Sequence, residues 1–130
     1  MFDLTGLFAL GEGLARQAIS TSSTRIAVGT VTKTVDPETV AEVETFTEQW
    51  ADDAIVTNVS AKDITAAPNL DLRLTDWRVL TYPEQTPPEP LQIVRVTDSR
   101  DPNQPGREAT VLGHVVTSAG AILTIFARPR

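Results

Sequence analysis

The stretch that decides the fold is Thr24-Arg25-Ile26-Ala27-Val28-Gly29-Thr30-Val31-Thr32-Lys33-Thr34-Val35-Asp36-Pro37-Glu38-Thr39-Val40-Ala41-Glu42-Val43-Glu44-Thr45-Phe46-Thr47-Glu48-Gln49-Trp50. Its first half alternates and is rich in β-branched side chains, which are stiff at χ1 and suit a pleated sheet better than a helix. Asp36-Pro37-Glu38-Thr39 then reads as a type I turn, with Pro37 presetting φ at the second position and Asp36 bonding back to the backbone from the first. Val40–Trp50 returns as a second strand, so the spacing predicts a long hairpin. By period two, Glu42, Glu44, Phe46, Glu48 and Trp50 share one face, while Ala41, Val43, Thr45 and Thr47 share the other. Val43 is expected to turn inward. Two large aromatics on a glutamate face require either a neighbouring subunit over them or a bulge that changes the register.

The same grammar continues outward from the hairpin. Strands are expected at Ala54–Val59, Leu70–Leu74, Trp77–Thr81, Leu91–Val96, Ala109–Val116 and Ala121–Arg128. Pro83, Pro87, Pro88 and Pro90 make 83–90 an extended loop that lacks four backbone donors. Asp98–Gly106 is a polar turn, and Thr117–Gly120 closes a last hairpin. Valine, isoleucine and threonine together supply 38 of the 130 residues, in line with a sheet protein. On the N-terminal side, 3–19 is the one clear helical stretch. Leu4, Leu7, Phe8, Leu14, Ala15 and Ala18 form an apolar stripe, Asp3 caps the start, and Ser20–Ser23 ends it by competing for backbone bonds. Gly6, Gly11 and Gly13 each weaken this helix by about 1 kcal/mol, so it needs a surface to lie on. The fold class expected is mainly β: a small antiparallel barrel or sandwich of about seven strands with one N-terminal α-helix. A single domain spans 1–130, with the helix in 1–20 and a β-barrel over 24–130.

Composition narrows the function classes. There is no cysteine, so disulfides, thiolate nucleophiles and Cys-ligated metal sites are excluded. The single histidine, His114, sits in a β-branched run with no local partner to orient it as a general base. Neither Ser60 nor Ser118 stands in a nucleophile-elbow context, the acids around Asp98 and Asp101 lack calcium-loop order, and no glycine-rich phosphate loop is present. The reading is therefore of a non-enzyme with no catalytic, metal or cofactor site. No apolar run approaches a membrane span, and no basic leader opens the chain. The formal net charge is −6, which disfavours gripping nucleic acid. The charge is concentrated: Asp36, Glu38, Glu42, Glu44, Glu48, Asp52 and Asp53 fall within 36–53, with no lysine or arginine between them.

The C-terminal half resembles a known family. Val94-Arg95-Val96-Thr97-Asp98-Ser99-Arg100-Asp101-Pro102, followed by Gly106-Arg107-Glu108-Ala109-Thr110-Val111, is similar to the closing segment of tailed-phage head-closure proteins, the head-to-tail stoppers. There a strand enters a short Asp-Pro…Gly-Arg turn and leaves as a valine-alternating strand. The N-terminal helix, the Asp-Pro turn and the proline-rich stretch agree in order. Gln104-Pro105 stands where an aliphatic residue is common, and Pro88-Glu89-Pro90 replaces the family's Gly-Asp. The resemblance implies a small barrel assembled as a homo-oligomeric ring in the virion neck. The ring lies between the head-tail adaptor on the portal and the tail terminator or tail tube, and helps retain packaged DNA without binding it sequence-specifically. On that reading Leu4, Leu7, Phe8, Leu14 and Arg107 are expected at subunit or adaptor contacts, and Glu42, Glu44 and Glu48 face the lumen or a basic partner. Arg73, Arg78, Arg95 and Arg107 are the candidates to meet Glu42, Glu44 or Asp52 of a neighbour. The alternatives are a tail terminator or other neck ring protein, or a non-viral β-sandwich binding module. A binding module would want exposed aromatics in a cleft, and only seven aromatics exist here.

Overall fold

A computed structural model describes residues 14–116 and 122–130. Seven strands form one antiparallel sheet: β1 Arg25–Val35, β2 Glu42–Asp53, β3 Ile55–Asn58, β4 Trp77–Thr81, β5 Ile93–Asp98, β6 Glu108–Val116 and β7 Leu123–Pro129. Their spatial order is β2-β1-β5-β6-β7-β4-β3. The first and last strands of that order are neighbours in sequence, separated only by Ala54. The sheet must therefore roll until its two edges meet at this corner. Ala54 is buried, its N–H donates to the Thr24 carbonyl, and the Asp53 carbonyl beside it accepts from the Thr81 hydroxyl. The sheet is rolled but not closed into a barrel, and the sandwich form of the expectation is the one that holds.

Two apolar clusters follow from this roll. The inner face buries Ile26 and Val28 of β1, Val79 of β4, Val94 and Val96 of β5, Val111 of β6, and Leu123 and Ile125 of β7. These positions alternate along each strand, as a sheet buried on one face requires. The second cluster lies on the outer face, where Phe126 of β7 meets Val59, Ala67 and Leu72. It is covered by a short helix, α2 Ala61–Ala66, and a 3-10 turn at Pro68–Leu70. The expected strand at Leu70–Leu74 is absent. Pro68 opens a helical turn instead, and Asp71 takes a left-handed conformation that ends it. Helix α2 starts on a capping box in which Ser60 and Asp63 satisfy each other's backbone N–H groups.

The N-terminal helix, α1, is seen over 14–21. Ile19 is buried, Leu14 is exposed, Arg16 pairs with Glu84 and lies over Tyr82, and the Ser22 hydroxyl bonds the Ala54 carbonyl. Ser20, Thr21 and Ser22 all donate to carbonyls one turn back, as the expected helix stop requires. Leu4, Leu7 and Phe8 lie outside the described residues.

The β1–β2 hairpin runs out beyond the core. Strand β5 pairs with β1 only over Arg25–Gly29, so β1 beyond Gly29 has β2 as its one strand partner. From there both faces of the hairpin are mostly exposed. It is a two-stranded arm, and its tip at Val35–Glu42 lies about 30 Å from Arg25 by strand rise alone.

Candidate functional site: the acidic arm, the outer groove and the polar cleft

A bulge positions the arm. Val28 lies across from Trp50, but Gly29 lies across from Glu48, so Gln49 is absorbed between them. The extra residue sends Trp50 to the inner face, where it packs against the core and donates from Nε1 to the Thr86 carbonyl at 2.9 Å. Of the two explanations open from sequence, the bulge is the one realised for Trp50. Gly29 permits it, because a Cβ there would run into the Thr47 carbonyl.

Phe46 stays with the glutamates. It is covered within the chain by the Arg95 guanidinium, 4.2 Å from its ring centroid. Arg95 also bonds Glu108 at 2.7 Å, and Arg130 bridges Glu108 and Glu44. The outer half of the arm is thus tied to the body on this face by a chain of opposite charges. Glu42 pairs with Lys33 across the hairpin at 3.7 Å, and Glu48 is exposed. Of the three expected lumen or partner residues, the fold leaves Glu42 and Glu48 towards solvent and engages Glu44 with Arg130. Val43 does not turn inward. It is exposed because no second layer lies behind the arm.

The tip is apolar at its centre and acidic at its rim. Val35, Val40 and Val43 are exposed, beside Asp36, Glu38 and Glu42. The turn has the expected Asp36 geometry, with its carboxylate accepting from Glu38 N–H at 2.9 Å. Val40 sits at φ 56°. A β-branched residue in the left-handed region is strained, and such strain concentrates where a surface has work other than folding.

On the opposite half of the sheet, α2 and the outer faces of β4, β6 and β7 enclose an apolar groove of about 350 Å³. Leu80, Val115, Ile122 and Phe126 line it, and Arg78 and Asp63 stand at one side. Arg78 reaches Asp63 at 3.5 Å through Nη1, while its buried Nε has no hydrogen-bond partner among the described residues. Burial pulls the Asp63 carboxyl upward. The Ser60 backbone and hydroxyl bonds and the Arg78 charge outweigh that and hold it below the ordinary aspartate value. A second hollow of about 340 Å³ shares Ala66, Ala67 and Val115 with the first and continues it past Leu70 and Leu112. His114 is exposed at its edge.

Arg107 lies elsewhere, in a polar cleft of about 350 Å³ at the end of the sheet where β3 and β4 meet the 98–107 loop. Gly106 takes φ 89°, a conformation open to glycine at little cost. Arg107 does not pair with a carboxylate: it donates to the Gln104 side chain and lies 5.5 Å from the centroid of the buried Trp77 ring. Of the arginines proposed to meet a neighbour's acids, Arg95 and Arg78 have carboxylates within the chain. Among the described residues, Arg107 and the exposed Arg73 do not. Sequence reasoning missed the outer groove because it missed α2, whose signal is the Ser60-x-x-Asp63 spacing.

The fold and its surfaces define an antiparallel β-sandwich with a projecting acidic arm. It is similar to the solution structure of protein SF1141 from Shigella flexneri 2a, with a TM-score of 0.57 and 21% identity, covering 84% of this chain and 95% of that one. At that identity the likeness is one of fold. No protein-family profile matches the chain, and no curated protein matches it.

Proposed function

We propose that this chain is a non-enzymatic structural protein of the tailed-phage neck. It would form a head-to-tail stopper ring that joins the portal-bound adaptor to the tail and helps retain packaged DNA. The observation that carries the reading is the arm. It extends a long two-stranded ladder beyond the core, held by its own chain at Phe46 and Glu44 and otherwise mostly exposed, and a two-stranded ladder is marginal in water until something packs against it. Its acids suit a DNA conduit, where like charge keeps the duplex from sticking to the wall. The resemblance around Asp101-Pro102 and Gly106-Arg107 suggests the family, and Gly106 in that turn has a positive φ.

The test is a triple charge reversal, Glu42→Lys, Glu44→Lys and Glu48→Lys, introduced into the phage genome. The reading expects folded protein and few infectious particles, through failed neck assembly or impaired DNA passage. Normal particle yield with the triple variant incorporated would assign these acids to plain solvation and remove the arm as support.

A further inference from the structure

The arm tip and the outer groove are complementary surfaces on opposite halves of one chain. The tip presents Val35, Val40 and Val43 to solvent within a rim of Asp36, Glu38 and Glu42. The groove presents Leu80, Val115 and Phe126, with the buried Arg78 Nε unsatisfied at its side and the exposed Lys62 on the adjoining helix α2. Arg78 and Lys62 outnumber the one carboxylate beside them, Asp63, so the groove favours an acidic segment that arrives with apolar neighbours. The tip is built in that way. Within the chain the arm is held at Phe46 by Arg95 and at Glu44 by Arg130, neither of which lines the groove.

We propose that the occupant of the outer groove is the arm tip of a second copy of this chain. The valines fill the hollow beside Ala66 and Ala67, and the carboxylates of the rim pair with the exposed part of Arg78 and with Lys62. Since tip and groove are different patches, the contact is heterologous, and repetition gives a ring if the rotation closes. This deepens the ring reading by naming the surfaces that build it. The strain at Val40 belongs to the same contact, as it keeps an apolar side chain at the point of the tip.

The absence of cysteine makes the test direct. Two single-cysteine variants of the full chain, Val40→Cys and Ala66→Cys, are mixed and oxidised. The proposal expects the disulfide-linked product to be mainly between unlike variants. Arg78→Glu in the Ala66→Cys chain should lower that product about tenfold, since like charges then meet. Glu38→Lys with Glu42→Lys in the Val40→Cys chain should restore it, and the restoration also shows that the Arg78→Glu chain folds. Mainly Val40–Val40 product, or no cross-linked product at millimolar protein, overturns the contact. So does an unlike product indifferent to Arg78→Glu. The outcome is separable from that of the neck reading. Unlike cross-links in a protein absent from the neck uphold the contact and sink the neck reading. A neck protein without them does the reverse.

Discussion

Trp50 lies across from Val28, although strict alternation puts it on the face of Glu48. One absorbed residue, Gln49, separates a core indole from an acidic surface, and Gly29 makes room for the chain to do so. Replacing Gly29 with alanine forces the backbone of β1 and β2 apart at that point. The expected loss is about 1–3 kcal/mol in urea-induced unfolding, the usual cost of overpacking, together with a shift in Trp50 fluorescence. An unchanged midpoint would mean that the bulge does not depend on the glycine.

Asp76 is a second anchor. Its fully buried carboxylate accepts from Arg73 N–H at 2.8 Å and from two Arg128 nitrogens at 3.1 Å, tying the start of β4 to β7. Asp76→Ala leaves the guanidinium facing an empty, partly buried site and should cost about 3–5 kcal/mol. Lys33→Ala, which removes an exposed pair with Glu42, should cost at most about 1 kcal/mol. Denaturant unfolding of the two variants side by side checks the contrast, and equal losses would refute it.

The capping box of α2 gives a pH dependence with a definite sign. The folded Asp63 carboxyl titrates below its ordinary value of 3.8. Its contribution is therefore complete above the unfolded value and is lost as pH falls through the folded one. Ser60→Ala removes the hydroxyl bond that helps hold the carboxyl down and leaves the backbone N–H bond and the Arg78 charge in place. The variant should be about 1 kcal/mol less stable near neutral pH and should lose less than the native chain on acidification below pH 4. Parallel acid limbs for the two proteins would show that Ser60 does not set this titration.

Val40→Asn should raise the stability of the isolated chain by up to about 1 kcal/mol, because asparagine tolerates the left-handed region better than a β-branched residue. The same change should weaken assembly. Thermal unfolding and sedimentation at several concentrations separate the two effects. A destabilised monomer would contradict the strain at this position.

Much of the sheet is legible in the sequence because its inner face is one-sided. Val94 and Val96 flank Arg95, while Ile26 and Val28 flank the small Ala27, and period two is the signature of a strand with one main buried face. The arm was legible as a hairpin but not as an arm: exposure on both faces depends on where β5 stops pairing with β1, a long-range fact. The Leu70–Leu74 stretch misleads, since its leucines suit a strand while Pro68 and the left-handed Asp71 make a turn. Helix α2 is only six residues long and buries none of them, so no periodic stripe could reveal it. The acidic surface was readable from charge alone. Its counterpart, Arg78 in an apolar groove, was not, because α2, β4, β6 and β7 come together only in the fold.

The central claim is one of place, and imaging of the intact phage neck tests it most directly. Reconstruction at a resolution that traces side chains should show this chain as a ring between the portal-bound adaptor and the tail, with Glu42 and Glu48 of each copy towards the channel or a neighbouring subunit. A neck in which every ring is built from other chains would contradict the account.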